Sequence, residues 1–180
     1  MKKLFVTITV LLSSVLMSCE VDNIKAEYGR GPKTEVPMSI QGSWMFGQFS
    51  MTEYWNQDPS SYAGNALQLA IAFKFNDNGT YEQYFTSGTT NTTGQTYQQS
   101  VTKGTIEVNA TAKTITTHAY SSKYRRTVNG KIVEDRELGE NEMTKDNTYN
   151  YTLDTEANGT RVINLTIDGT NSTLPFQKKF

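Results

Sequence analysis

Apolar and polar residues alternate with a period of two along much of this chain, and that pattern constrains its fold more than any other feature. Successive side chains of a strand point to opposite faces, so the alternation predicts β-strands. It is clearest in residues 67–75, where one face carries Leu67, Leu69, Ile71, Phe73 and Phe75. The small Ala70 and Ala72 on the other face indicate that something packs close to the backbone there.

Two Asn-Gly pairs lie between alternating segments and predict tight hairpins. Asn and Gly both tolerate the positive φ that such turns require. Asn78-Gly79 joins residues 67–75 to a second strand over 80–86, and Asn129-Gly130 joins 124–128 to 131–135. A two-residue turn at the second pair predicts that Arg125 lies opposite Glu134 as a cross-strand ion pair. Similar turn signals recur at Asn158-Gly159 and Asp168-Gly169.

The spacing of these signals predicts an all-β domain. Further strands are expected near 41–51, 98–108 and 113–120, and no window after Cys19 has the periodicity of a helix. The total of about eight or nine antiparallel strands is typical of an up-and-down β-barrel, with a two-layered β-sandwich as the alternative. Residues 87–96 are rich in Thr and poor in apolar residues, and we interpret them as a mobile loop.

The N-terminus has the layout of a secretory signal peptide. Lys2 and Lys3 precede an apolar stretch from Leu4 to Met17, which is too short for a membrane-spanning helix of about 20 residues. The small Ser18 before Cys19 resembles the lipobox of bacterial lipoproteins, in which the cysteine is acylated and the preceding peptide is removed. The resemblance implies a signal peptide over 1–18 and lipidation at Cys19.

The resemblance also implies the protein's address and its attachment to the membrane. Residues 19–39 are polar and are interrupted by Gly31-Pro32 and Pro37, so we interpret them as a lipidated flexible tether before a barrel domain at 40–180. Glu20 and Asp22 are similar to the surface-export signal of Bacteroidetes-type lipoproteins. We therefore expect a lipid-anchored cell-envelope protein at the outer membrane, on the periplasmic face or at the cell surface.

Two short motifs in the domain resemble those of lipocalins and of lipocalin-like bacterial lipoproteins. Gly42-Ser43-Trp44 matches their G-x-W first-strand motif, and the stretch from Phe73 to Tyr81 is similar to an F-x-F-x-x-x-G-x-Y hairpin. In that family the Trp closes one end of an eight-stranded barrel, the Gly lets the chain pass close to it, and a late arginine stacks on it. Arg161 is the candidate for that arginine. The T-D-Y motif of typical lipocalins is absent.

Composition argues against several kinds of chemistry. The only cysteine is Cys19 and the only histidine is His118, so no disulfide, catalytic thiol or Cys/His metal cluster is expected. The acidic run between Glu134 and Glu142 lacks an Asp-x-Asp-x-Asp calcium loop, and we interpret it as a solvated hairpin and loop. We therefore expect a non-enzymatic protein without a cofactor or metal.

The charge of the chain bears on its partners. Lysine and arginine number 17 against 18 aspartate and glutamate, and removal of the signal peptide would take Lys2 and Lys3 away. A mildly acidic domain lacks the clustered cations that nucleic acid requires. We expect no nucleic-acid partner.

Aromatic residues cluster after the first predicted strand, and two functions remain open. Tyr54, Trp55 and Tyr62 lie where the lipocalin resemblance implies a lid loop at the barrel mouth, and they are the candidate contacts for a small apolar or amphipathic ligand. The alternative is a structural or interaction protein of the envelope, whose packed barrel docks a protein partner through its surface or through residues 87–96.

Overall fold

The computed structural model describes residues 27–56 and 67–179, and over these ranges the protein is all-β. Two 3₁₀ turns, at Tyr54–Asn56 and Glu140–Glu142, accompany the strands. No helix within the described ranges is long and apolar enough to cross a membrane. The nine strands are β1 Gly42–Phe46, β2 Leu67–Phe75, β3 Thr80–Asn91, β4 Gly94–Asn109, β5 Thr114–Val128, β6 Lys131–Glu137, β7 Asp146–Thr155, β8 Arg161–Ile167 and β9 Thr173–Lys178.

The strands form one antiparallel sheet that returns to its starting point. The ladder runs β4-β3-β2-β1-β9-β8-β7-β5, and a further pairing of β4 with β5 completes a ring of backbone hydrogen bonds. Strand β6 extends β5 outside this ring. Apart from the step from β5 to β7 and the closure of β1 with β9, neighbours in the ring are consecutive along the chain, which is the up-and-down order expected from the turn spacing. A single closed sheet confirms the barrel-like prediction and leaves no room for a two-layered sandwich.

The Asn-Gly turns lie where the sequence predicts them, but one register differs. Asn129 and Gly130 both have positive φ, at 49° and 76°. A bulge nearby makes Val133 an extra residue on β6, so Arg126 pairs with Glu134 and Arg125 pairs with Asp135. The expectation that Arg125 lies opposite Glu134 is therefore wrong. The chemistry of the turn indicates a hairpin, but it does not reveal a bulge further along it.

The prediction of a mobile loop at 87–96 is also wrong. Strand β3 continues to Asn91 and β4 begins at Gly94, and the two pair along this whole stretch, with Thr89 opposite Thr96. Thr is β-branched and suits a pleated strand despite its polarity. A low apolar content marks a segment that is exposed, and here that segment is a long hairpin.

The N-terminal strap, residues 27–36, belongs to the folded body, which corrects the interpretation of 19–39 as a flexible tether throughout. The backbone N–H of Thr34 donates to Ile106 O at 3.0 Å and that of Val36 donates to Asp77 O at 3.2 Å. Val36 and Ile40 are buried in the interior cluster. The strap covers the end of β4 that lies beyond β3. The signal peptide, Cys19 and the first residues of the tether lie outside the described residues.

Trp44 closes the barrel at the end where β1 begins. It is fully buried, and its indole N–H donates to the carbonyl oxygen of Ile40. Lys178 Nζ lies 4.7 Å and Arg161 Cζ 5.8 Å from the centre of its ring, so the contact that the resemblance implies for Arg161 is present. Gly42 has a φ of 94°, which a residue with a side chain would adopt only with strain.

The interior is filled by side chains from all eight strands of the ring. The cluster comprises Val36, Ile40, Trp44, Phe73, Phe75, Tyr81, Ile106, Ile115, Tyr149, Tyr151, Ile163, Leu165 and Phe176. Phe73 on β2 and Tyr149 on β7 meet edge to face with ring centres 5.8 Å apart. Because β2 and β7 lie opposite each other in the ring, this contact spans the barrel and leaves no lumen at that level.

A polar row crosses part of the same interior face. Phe73 pairs with Gln83, Gln83 with Thr102 and Thr102 with Ser122, and directly paired residues share a face of the sheet. The hydroxyl oxygens of Thr102 and Ser122 lie 2.9 Å apart. This part of the inner wall therefore presents polar groups beside the aromatic layer.

Candidate functional site

The segment after β1, residues 47–56, packs on the outside of the barrel, and we call it the wall loop. The chain turns at Gly47, whose φ is 79° and where a Cβ would lie 2.6 Å from that of Ala70. Ala70 and Ala72 are buried beneath the loop, beside Phe49 and Tyr54. The prediction that something packs closely on these alanines is confirmed.

Tyr54 anchors the wall loop to the backbone of the wall. Its hydroxyl lies within hydrogen-bond distance of the carbonyl oxygens of Phe85 and Ser100, the latter at 2.8 Å, so these two acceptors share its single proton, and it accepts from the Ser100 N–H at 3.0 Å. Its ring packs edge to face on Tyr84 with centres 5.0 Å apart. Burial raises the pKa of the Tyr54 phenol well above its ordinary value. This side chain is a structural fastening, and it stays uncharged at every physiological pH.

Trp55 lies beside Tyr54 but remains half-buried, under two cations from β5. Lys123 Nζ and Arg125 Cζ lie 5.2 Å and 5.1 Å from its ring centre. Arg125 also donates to Trp55 O at 2.8 Å and to the Asp135 carboxylate at 2.7 Å. Cation–π contacts of this kind hold an aromatic ring in a fixed orientation. Trp55 is therefore held in a fixed orientation, and its side chain is partly exposed.

The structure places these aromatic residues differently from the lid loop that the resemblance implies. Tyr54 and Trp55 belong to the cluster on the outer face of β1–β4, with Met45 and Val101, and not to the interior cluster. Tyr62 lies outside the described residues. A ligand that contacts Trp55 would bind on the outer wall.

A large cleft lies beside Trp55, and we call it the outer cleft. It has two adjoining parts, of about 570 Å³ and about 270 Å³, which share Trp55, Val101 and Lys103. The larger part extends over β5 to the turn that follows β6. Its rim and floor include Glu27, Tyr120, Ser121, Lys123, Glu137, Leu138, Glu140 and Met143.

Tyr120 reaches the cleft because of a β-bulge. Lys103 pairs with Ser121 and Gly104 with Ala119, so Tyr120 is the extra residue on β5. Its side chain is 53% exposed. Gly29 of the strap packs against the ring, and a Cβ there would lie 2.5 Å from Tyr120 Cδ2. Bulges commonly redirect a side chain in this way, and the strap supports the ring from one side.

Glu82 fastens the strap at the smaller part of the cleft. This nearly buried carboxylate accepts from the hydroxyls of Tyr28, at 2.8 Å, and Tyr84, and Lys74 Nζ lies 3.5 Å away. Burial acts to raise the pKa of Glu82. The hydrogen bonds from Tyr84 and Tyr28 and the charges of Lys74 and Lys103 outweigh burial, so the pKa lies below its ordinary value. Glu27 of the strap also pairs with Lys103.

Several other titratable groups form ion pairs on the surface. The ring nitrogens of His118 lie 2.7 Å from Asp146 and 3.0 Å from Glu107. In the acidic run, Arg136 bridges Glu134 and Glu142 at 2.8 Å and 2.7 Å. The described part of the chain contains no group of three or more His, Cys, Asp and Glu side chains that could hold a metal ion.

Sequence reasoning missed the charged and bulged residues of the cleft. Lys74 directly opposes Glu82 across the β2–β3 hairpin, so the polar face of that hairpin was a readable signal for this pair. Tyr120 and Lys123 gave no such signal, because a bulge and the position of the wall loop bring them together. Comparisons with protein-family models, curated proteins and solved structures find no match for this chain.

Proposed function

We propose that this protein is a lipid-anchored, non-enzymatic component of the bacterial cell envelope, and that it binds its partner on the outer wall of a filled barrel. The observation that carries this proposal is the contact of Phe73 with Tyr149 across the ring. A barrel of eight strands is just wide enough to be filled by its own side chains or to hold one small ligand. At the level of this contact the aromatic layer leaves no space for an enclosed ligand.

The polar side chains of the inner wall also favour binding on the outer wall over binding inside the barrel. An apolar ligand above the aromatic layer would lie against the polar side chains of Gln83, Thr102 and Ser122, which offer it no matching apolar surface. The outer cleft is open, and it combines aromatic and charged groups around Trp55. It is therefore the better candidate for recognition.

The lipid anchor in this proposal rests on the sequence from Lys2 to Cys19. From Cys19 to Glu27 the chain spans at most roughly 28 Å. The strap at Glu27 lines the outer cleft, so the cleft would be held within that distance of the membrane surface. Replacing Cys19 by serine in the full chain should move the protein from the detergent phase to the aqueous phase on Triton X-114 partition. Retention in the detergent phase would contradict the anchor.

Binding inside the barrel is the competing function. Titration with a fluorescent probe distinguishes binding inside the barrel from binding on the outer wall. The domain from residue 27 onward is titrated with the fluorescent apolar probe 1-aminoanthracene. We expect no saturable enhancement of probe fluorescence. Saturable binding that is lost in an Ile71→Trp variant, with the exposed Ile132→Ala on β6 outside the ring as the control, would show an interior site and overturn the proposal.

A further inference from the structure

We propose that the outer cleft binds a neutral oligosaccharide, with the rings of Trp55 and Tyr120 as its stacking platforms; this rests on the outer-wall binding proposed above. Both rings are held in place, Trp55 by Lys123 and Arg125 and Tyr120 by Gly29 of the strap. Tyr120 is 53% exposed and Trp55 is partly exposed. The C–H face of a pyranose ring carries partial positive charge and packs on the negative face of an aromatic ring.

The charges around the cleft favour a neutral ligand. Two lysines line it, and each has a carboxylate beside it, since Lys103 pairs with Glu27 and Lys123 lies 3.5 Å from Asp135. Glu137 and Glu140 lie on the same rim. An anion would meet these carboxylates, and a cation would meet these lysines. A polyhydroxyl ligand would instead find donors and acceptors along the whole cleft.

The floor of the cleft argues against an added β-strand. Val101 and Lys103 lie on β4, and Ser121 and Lys123 lie on β5. These strands pair with each other, β4 also pairs with β3, and β5 also pairs with β7 and β6. The floor strands β4 and β5 therefore offer no free backbone edge for an extended peptide to join, whereas β6 at the rim is the last strand of the sheet order. Recognition at the floor must come from side chains, as it does for a saccharide.

The shape of the cleft favours an oligomer over a single sugar. Its two parts, of about 570 Å³ and about 270 Å³, join at Trp55. Tyr120 lines the larger part, Tyr84 lines the smaller part, and Trp55 lies between them. Aromatic side chains in both parts of an open cleft suit a chain of sugars better than a single sugar.

The two tryptophans of the chain make a direct test possible. Trp44 is fully buried, so an aqueous quencher such as iodide reaches Trp55 and not Trp44. The probes are the neutral hexasaccharides cellohexaose, maltohexaose, mannohexaose and chitohexaose, added to the domain from residue 27 onward. We expect at least one of them to protect Trp55 from quenching in a saturable manner. A Trp55→Phe variant should lose the quenchable signal altogether.

Variants then assign the binding to the cleft. Tyr120→Ala retains the Trp55 reporter and should weaken saccharide binding about tenfold, because an exposed stacking platform is removed. Ile167→Ala, an exposed apolar residue on β8, should leave the affinity unchanged. Circular dichroism of each variant checks that the barrel is folded.

The remaining outcomes are distinct. Absence of protection by all four hexasaccharides at millimolar concentration overturns the saccharide inference. If a protein is then crosslinked through position 123, the outer-wall function stands with a different partner. Saccharide binding that survives Tyr120→Ala but is lost in Ile71→Trp would overturn both the inference and the proposed function.

Discussion

Glu82 is the residue at which the strap, the wall and the cleft meet. It is 7% exposed, yet it carries a full set of partners in Tyr28, Tyr84 and Lys74. A buried charge is tolerated when hydrogen bonds and opposite charges replace its water. The same contacts raise the pKa values of the Tyr28 and Tyr84 phenols, after burial itself.

Stability should depend on pH through this carboxylate. Because folding lowers its pKa, ionised Glu82 stabilises the native state above the ordinary value of 4.5, and that contribution is lost as the pH falls through the lowered value. We expect Glu82→Gln to lower the free energy of unfolding by about 1–3 kcal/mol at pH 7, and by much less at pH 3. Urea denaturation at the two pH values measures this, and a difference that stays constant or grows toward pH 3 would contradict it.

Substitutions at two glycines with positive φ distinguish the cost of backbone strain from the cost of displacing the strap. Gly79 and Gly159 have φ values of 78° and 85°, but a Cβ at position 79 would lie 2.5 Å from Thr34 O, whereas position 159 is open. Gly159→Ala should destabilise by about 1 kcal/mol through strain alone. Gly79→Ala should cost about 1–2 kcal/mol more, because it also displaces the strap. Equal midpoints of denaturation for the two variants would show that the strap does not pack on this turn.

At the scale of elements, the sequence predicted the features that depend on residues close together in the chain. The hairpins at Asn78-Gly79 and Asn129-Gly130, the number of strands and the covered alanines follow from turn chemistry and alternation. Turn chemistry and alternation do not predict that Arg125 pairs with Asp135, or that residues 87–96 form strands. A bulge depends on the fit between two strands, and an exposed hairpin has the composition of a loop. The folded strap could not be predicted, because its contacts are with distant residues.

A double-mutant cycle tests the register of the β5–β6 hairpin. Arg125 donates to Asp135 with two nitrogens, at 3.1 Å and 2.7 Å. We expect a coupling energy of about 0.5–1 kcal/mol between Arg125→Ala and Asp135→Ala. The control cycle of Arg125→Ala with Glu134→Ala should give a coupling close to zero. Coupling of Arg125 to Glu134 and not to Asp135 would instead indicate the two-residue register without a bulge.

Hydrogen exchange tests the hairpin at 87–96. The backbone pairs of β3 and β4 continue through Ser87–Gln98 and Thr89–Thr96, so their hydrogen-bonded amides should exchange more slowly than those of the tip at Thr92 and Thr93. Mass spectrometry of peptides from this region reports the rates. Uniformly fast exchange across 87–96 would favour a mobile loop.

The candidate site could be predicted only in part from the sequence, because it combines residues that are distant in the chain. An aromatic cluster after the first strand drew attention to Trp55. The side of the wall on which it packs depends on Gly47 and the buried alanines. Tyr120 enters the site through a bulge, and Lys103 and Lys123 enter through the curvature of the wall. Residues that become neighbours only when a sheet closes leave no mark in local spacing.

For the molecule as a whole, the closed sheet and the side chains packed inside it both stabilise the barrel. Closure leaves no free edge around the ring, so a chain with a single cysteine needs no disulfide to protect one. Trp44 covers one end, and the aromatic layer around Phe73 fills the middle. A rigid, filled barrel keeps the outer wall in a fixed shape, which is what a preformed cleft requires.

The contact between Phe73 and Tyr149 is the point on which this account depends. The rings lie on opposite strands with centres 5.8 Å apart, so their protons should give a clear nuclear Overhauser effect in the folded domain. The measurement is an aromatic NOE spectrum of the isotope-labelled domain. We predict cross-peaks between the two rings. Absence of these cross-peaks, with NOEs from either ring to water or to a co-purified ligand, would show a hollow barrel and contradict the account.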